Sequence, residues 1–128
     1  MNTDMENSEV QATVWLKQAD NDWLGCKVLS NGEIQNIGSM LIKNYQDVDK
    51  IKALAKLKTV WKVEAEPADC IVEDSEFFSE CKDSMMTIQV KDTSEYCYIY
   101  DMSRSKWMFG LNMSQPLEKL VKFITRND

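Results

Sequence analysis

The chain contains no histidine, and this absence excludes several common kinds of enzyme chemistry. Without histidine there can be no Ser-His or Cys-His nucleophile system, and no imidazole can act as a general base. The sequence also lacks a Walker loop and a G-x-G-x-x-G fingerprint, which bind phosphates in nucleotide-dependent proteins. We therefore expect a protein that is not an enzyme, with no catalytic residues and no cofactor.

No two cysteines form a C-x-x-C pair. A structural zinc site would have to draw its thiolates from four scattered positions, because no histidine can substitute for one of them. We therefore expect no metal site, and we expect the cysteines to be buried reduced thiols. The four cysteines are Cys26, Cys70, Cys81 and Cys97.

Long apolar runs are also missing. A membrane-spanning helix needs about 18 consecutive apolar residues, and no such run occurs. The first nine residues are polar and acidic, without the basic and apolar regions of a signal peptide. We expect a cytoplasmic protein that has no membrane partner.

Acidic residues are in excess. The chain has 21 Asp and Glu against 15 Lys and Arg, which gives a formal net charge of −6. Nucleic acid repels such a chain, so we expect no direct nucleic-acid binding. A basic protein surface, such as the groove of a nucleic-acid-binding protein, would attract it. The same net charge also serves simply to keep a protein soluble.

Periodicity indicates a helical centre between strands. The Asn31-Gly32 turn favours positive φ, and apolar residues then recur at helical spacing from residue 34 to Tyr45. Gly38 within this helix suggests close packing on the sheet. Asp47 is a good N-cap for a second helix, whose inner stripe is expected at Val48, Ile51, Leu54 and Ala55.

Alternating patterns predict the strands. The first, at residues 10–17, reads as half-buried and forms a hairpin with the second, at residues 23–29. Further strands are expected at residues 59–63, 85–91, 95–102 and 106–111, the last of them in an antiparallel meander. A helix with Pro116 in its first turn follows. We predict an N-terminal arm at residues 1–9 and one α+β domain at 10–128. Its fold is an antiparallel β-sheet with two central helices and a C-terminal helix packed on it.

The segment from residue 64 to 83 is dense in carboxylates and contains Pro67, which breaks regular structure. We read it as an irregular loop with one short helix, in which Ile71, Val72, Phe77 and Phe78 are anchors. The segment is either a solvated loop or a surface that pairs with Arg and Lys of a partner. The residues predicted to bind the partner are Glu64, Glu66, Asp69, Glu73, Asp74, Glu76, Phe77, Phe78 and Glu80.

Two groups of aromatic residues are alternative candidates for the surface that binds a partner. Tyr96, Tyr98 and Tyr100 share one strand face, which is either a stacking platform or a sheet face covered by a helix. Trp15 and Trp23 could meet on the outer face of the hairpin and, if exposed, would mark an interface.

The chain resembles a group of small, mostly uncharacterised phage and bacterial proteins. Their pattern is an acidic- or Asn-Gly turn, a glycine, a leucine and a tyrosine that closes the helix, followed by a Tyr-x-Tyr strand and Lys-Trp. Glu33 stands where the group usually has an aromatic residue. The resemblance spans roughly residues 23–109 and implies a phage or mobile-element setting. The matching residues are Asn31, Gly32, Gly38, Leu41, Tyr45, Asp47, Leu54, Tyr98, Tyr100, Asp101, Lys106 and Trp107.

Together these features predict a non-enzymatic acidic inhibitor. It would be encoded by a phage or mobile element, act in the host cytoplasm, and block a bacterial defence or nucleic-acid-handling protein. Anti-CRISPR and anti-restriction proteins, including nucleic-acid mimics, are of this type. The alternatives are a toxin-neutralising immunity protein, a phage structural or assembly accessory protein, and, least favoured, a carboxylate-metal enzyme. The target is not specified by the sequence, and a homodimer is left open.

Overall fold

The computed structural model describes residues 8–74, 80–82, 88 and 96–126. Within these ranges, no helix is both long and apolar enough to cross a bilayer. The strands are β1 (Ala12–Ala19), β2 (Asp22–Val28), β3 (Thr59–Val60), β4 (Glu80–Cys81), β5 (Tyr96–Asp101), β6 (Lys106–Phe109) and β7 (Gln115–Pro116). The α-helices are α1 (Ser39–Asn44), α2 (Val48–Ala55) and α3 (Leu117–Arg126), with a π-helical turn at Ile34–Gly38 and a 3₁₀ turn at Pro67–Asp69.

The strands form one sheet in the order β3-β2-β1-β5-β6-β7, with β4 also paired to β2. The predicted hairpin is confirmed, because β1 and β2 are antiparallel. The prediction of a wholly antiparallel sheet is wrong. The central strands β1 and β5 are parallel, and so are β2 and β3. Parallel neighbours need a long crossover, and the helical centre lies in the chain between β1 and β5. The domain is therefore α+β with a mixed sheet.

Strand β1 is buried on both faces, so its interpretation as half-buried is wrong. Val14 and Leu16 belong to the core on the helical side, whereas Trp15 belongs to a second cluster on the opposite side. All three side chains have 0% exposure. The physical reason is position: β1 lies between β2 and β5, and both of its faces are covered.

Both central helices occur close to where the sequence predicted them. The first is not uniformly α-helical: a π-helical turn, which is wider than an α-helical turn, precedes α1, and Tyr45 follows α1 directly. Asp47 caps α2, its Oδ1 accepting the Asp49 N–H at 3.4 Å. Gly38 packs differently from the prediction. A Cβ there would meet Val121 Cγ2 at 3.2 Å and Leu117 Cδ1 at 3.4 Å, so its close neighbour is α3 rather than the sheet.

The Asn31-Gly32 turn ties three parts of the chain together. Asn31 takes the left-handed conformation, with φ of 55°. The N–H groups of Asn31 and Gly32 donate to the carbonyls of Ser8 and Val10. A Cβ on Gly32 would lie 2.8 Å from that of Ala12, so close approach explains this glycine. Ser8, in the predicted arm, is thus bonded to the turn, while residues 1–7 lie outside the described ranges.

The second sheet face carries its own apolar cluster. Trp15 and Trp23 meet edge to face with ring centroids 6.4 Å apart. Ile88 and Met113 are buried in the same cluster. Ile88 has helical backbone, which contradicts the strand predicted at residues 85–91 at this position. The other residues of that predicted strand lie outside the described part of the chain.

Candidate protein-binding surface

The acidic segment is fixed to the core at its start. The Tyr45 hydroxyl donates to the Glu64 carbonyl at 2.7 Å, and the Glu64 N–H donates to Cys70 Sγ at 3.3 Å. Burial raises the pKa of both the Tyr45 phenol and the Cys70 thiol. A protonated hydroxyl and thiol can both donate hydrogen bonds, and Cys70 Sγ does so to the Glu66 carbonyl at 3.7 Å. The backbone from 64 to 70 is therefore held in place.

All four cysteines are reduced and buried, as predicted. Burial raises the pKa of Cys26 far above its usual range, which disfavours the reactive thiolate. In the described ranges, no three His, Cys, Asp or Glu residues converge in a way that could hold a metal ion.

Two of the predicted carboxylates pair within the molecule. Glu66 Oε2 lies 3.1 Å from Lys50 Nζ, and Glu64 Oε2 lies 3.9 Å from Lys62 Nζ. Lys50 also lies over the Tyr45 ring, 4.9 Å from its centroid. These two carboxylates are partly neutralised where the segment joins the core, so they contribute less to an external field.

Three other carboxylates point into solvent. Asp69, Glu73 and Asp74 are exposed, and no lysine or arginine of the described residues forms an ion pair with them. They lie within six consecutive residues, so their charges add. Glu80 is separate, because it pairs with Leu24 at the other end of β2 and lines a cleft with Lys52, Lys56 and Lys82. Glu76, Phe77 and Phe78 lie outside the described residues.

The segment after the 3₁₀ turn extends the sheet beyond β3. Trp61 N–H donates to the Ile71 carbonyl at 2.8 Å, and Glu73 N–H donates to the Thr59 carbonyl at 2.9 Å. Val60 and Val72 therefore face each other as a non-hydrogen-bonded antiparallel pair. In such a pair the N–H and C=O of each residue point away from the partner. Those of Val72 consequently point outward, at the edge of the sheet.

Apolar side chains are exposed on this edge. Ile71 is 63% exposed, Val72 54% and Trp61 42%. The interpretation of Ile71 and Val72 as anchors of the segment is wrong, because both side chains are largely exposed. They lie on the segment that pairs with β3 from the outer side through the single bridge Val60–Val72, at the edge of the sheet. We call Trp61, Ile71 and Val72, with Asp69, Glu73 and Asp74, the acidic edge.

The tyrosine face is not a stacking platform. Tyr98 and Tyr100 are buried, with 0% and 5% exposure, on the helical side of the sheet. The Tyr98 hydroxyl donates to the Gly32 carbonyl at 2.6 Å, and burial raises the pKa of the Tyr98 phenol. The alternative, a covered sheet face, is therefore correct. Trp15 and Trp23 do meet, but both are buried and mark no interface.

Sequence reasoning missed two features. Trp61 lies within the strand predicted at residues 59–63, but β3 ends at Val60 and Trp61 is exposed beside Ile71; nothing in the sequence indicated this exposure. The second feature is a polar cleft of about 250 Å³ between the π-helical turn and residues 62–64. Gln35, Asn36 and Lys62 are among its lining residues. A π-helical turn often accompanies a functional site, but it cannot be identified from apolar spacing.

Comparison of this chain with protein-family models, with curated proteins and with solved structures found no significant match.

Proposed function

We propose that this chain is a non-enzymatic, acidic, protein-binding inhibitor, encoded by a phage or mobile element, that acts in the cytoplasm of a bacterial host. Its target would be a defence protein or another nucleic-acid-handling protein with a basic surface. The phage setting rests on the sequence resemblance. The target class rests on charge, because a surface that binds nucleic acid is basic and attracts carboxylates.

One observation carries the protein-binding part of the proposal. The acidic edge exposes three apolar side chains beside three carboxylates that have no ion pair among the described residues. Apolar residues at the centre and charged residues at the rim are the usual arrangement of a protein interface. The apolar part would supply affinity, and the carboxylates would speed association and select a basic partner.

The first test is protection of an infecting phage. The chain is expressed in bacteria that carry restriction or CRISPR systems, and plating efficiency of a sensitive phage is measured. We expect plating to rise with at least one system and to fall back by about tenfold or more with the double variant Glu73→Lys/Asp74→Lys, because reversed charges repel a basic target.

A matched control separates position from net charge. The double variant Asp20→Lys/Glu118→Lys changes the net charge equally and should still protect the phage. Asp20 lies in the β1–β2 turn, at the end of β2 opposite to β3, and Glu118 lies on α3, which packs on β6 and β7 at the other side of the sheet. Each carboxylate forms a surface ion pair, with Lys17 or Lys122, which is worth at most about 1 kcal/mol. Melting temperatures of both variants should stay near that of the parent chain. If no system is inhibited, or if both double variants lose protection equally, the proposal is contradicted.

A further inference from the structure

The outward backbone of Val72 suggests how a partner would bind. We propose that the acidic edge takes up an extended, basic segment of a partner protein by β-strand addition. The added strand would hydrogen-bond to the N–H and C=O of Val72. This inference rests on the proposed protein-binding function and specifies its geometry and the chemistry of the partner.

The hydrogen bonds between this segment and the β3 side leave the Val72 backbone groups pointing outward. The Trp61 N–H donates outward to the Ile71 carbonyl, and the Glu73 N–H donates inward to the Thr59 carbonyl, so Ile71 and Glu73 use these groups to bond to the β3 side. They leave the Val72 N–H and C=O on the outer side, where one residue of an added antiparallel strand can exchange both hydrogen bonds with Val72. In strand addition these main-chain bonds contribute affinity, and pockets for alternate side chains contribute specificity.

Apolar side chains flank this backbone on both sheet faces. Trp61 and Ile71 lie opposite each other on one sheet face, and Val72 lies on the other. An added strand would therefore find apolar contacts on both faces, since successive side chains alternate. Tryptophan is enriched among the residues that dominate binding energy at interfaces.

The charges around Val72 select the occupant of this edge. Glu73 and Asp74 directly follow Val72, and Asp69 precedes Ile71 by two positions. In a second copy paired antiparallel through Val72, Glu73 would face Ile71 and lie diagonally from the other copy's Glu73 on the same sheet face. Each chain also carries a net charge of −6, so charge repulsion disfavours a second copy as the occupant. A strand that has lysine or arginine on either side of a short aliphatic centre would complement both the carboxylates and the apolar side chains of the acidic edge. The occupant is therefore a basic segment of another protein.

The experiment uses the full chain and a defined probe. The probe is the end-capped peptide Lys-Arg-Val-Thr-Val-Arg-Lys, titrated at low salt while amide and indole NMR signals are followed. We expect saturable shifts of the Val72 amide and the Trp61 indole N–H, with slower hydrogen exchange at Val72. A peptide with Glu and Asp in place of the basic residues should not bind. A peptide N-methylated at its centre should bind at least fivefold more weakly.

Val72→Pro tests the backbone directly. Proline removes the outward N–H but no bond to β3, so affinity for the probe should fall roughly fivefold, the effect of about one net hydrogen bond. Phe123→Ser, at an apolar residue that is 66% exposed on α3, is the control and should bind the probe as the parent does. A thermal melt of each variant verifies folding. The N-methylated peptide provides the same test on the unaltered chain if Val72→Pro unfolds.

The outcomes separate this inference from the proposed function. Equal binding of the N-methylated and unmethylated peptides would overturn strand addition, while charge-dependent phage protection would still stand. Shifts at Val72 that grow with protein concentration alone would identify a second copy as the occupant and overturn the basic partner. Absence of probe binding at Val72 would also overturn the inference.

Discussion

At the scale of single residues, close packing decides where glycine is required. Gly25 lies opposite Trp15 across the β1–β2 hairpin. A Cβ at Gly25 would overlap the indole, with Trp15 Cδ2 only 2.6 Å away and Cζ3 2.8 Å away. Since Trp15 is fully buried within the second apolar cluster, the ring has little room to move.

Gly25→Ala should therefore lower the free energy of unfolding by about 1–3 kcal/mol, the usual cost of overpacking a core. The measurement is urea denaturation followed by tryptophan fluorescence. Gly38→Ala is the comparison, because its nearest contacts are 3.2–3.4 Å and alanine gains about 1 kcal/mol of helix propensity. A loss for Gly25→Ala no larger than that for Gly38→Ala would contradict the packing argument.

At the scale of elements, a charged hydrogen-bond group holds the N-terminal segment to the start of the π-helical turn. Glu33 Oε1 accepts the Ser8 hydroxyl at 2.8 Å and the Asn36 Nδ2 at 3.0 Å. Burial acts to raise the pKa of Glu33, but hydrogen bonds from Ser8, its own backbone and Asn36 together lower it below the ordinary 4.5. Ionised Glu33 therefore stabilises this junction.

The sign of the pH effect follows from the lowered pKa. The stabilisation is fully present above the unfolded value near 4.5 and is lost as pH falls through the lower folded value. Glu33→Gln should cost about 1 kcal/mol at neutral pH, the scale of a part-buried hydrogen bond. That difference from the parent should shrink below pH 4.5 in urea denaturation curves. A difference that stays constant with pH would contradict the role of the charge.

Also at this scale, the two ends of β2 have very different neighbours. One end pairs with β4, where Lys82 Nζ lies 2.7 Å from Asp22 Oδ1. The other end pairs with β3 and, through it, with the acidic edge. The acidic segment thus has three parts. Its first carboxylates form ion pairs within the molecule, its middle forms the exposed acidic edge, and Glu80 lies in a cleft lined by lysines. The carboxylates do not all share one environment, and the edge is the part suited to a partner.

At the scale of the whole molecule, apolar clusters on both sheet faces leave one tryptophan accessible. Trp15, Trp23 and Trp107 are 0%, 1% and 2% exposed, whereas Trp61 is 42% exposed. Trp107 is further fixed by its Nε1–H, which donates to the Tyr45 carbonyl at 2.8 Å. Solvent therefore reaches the indole at the acidic edge far more readily than the other three.

Quenching of fluorescence by acrylamide should therefore show one accessible and several protected components. Trp61→Phe should remove the accessible component and leave the protected ones almost unchanged, with a stability change under about 1 kcal/mol for a surface position. Stern–Volmer plots of the parent and the variant provide the measurement. Persistence of the accessible component in the variant would show that a tryptophan of the core is open to solvent.

Several features follow from local sequence because local physics determines them. The β1–β2 hairpin, the Asp47 cap and the alternation of tyrosines with Cys97 and Ile99 all depend on neighbours within a few residues. The periodicity of an apolar stripe is a local property, so it also indicates which helix face is buried. The excess of carboxylates between residues 64 and 83 needs no structure to be seen.

The tertiary structure alone decided strand direction and exposure. A strand shows the same alternation of apolar residues whether its neighbour is parallel or antiparallel. Nothing in the local sequence therefore indicated that β1 and β5 run parallel. Burial likewise depends on which strand is outermost. Ile71 and Val72 have the composition of core residues, yet their position beyond β3 exposes them and turns the Val72 backbone outward. Trp15 and Tyr98 show the opposite case: both are buried, because residues distant in the sequence cover them.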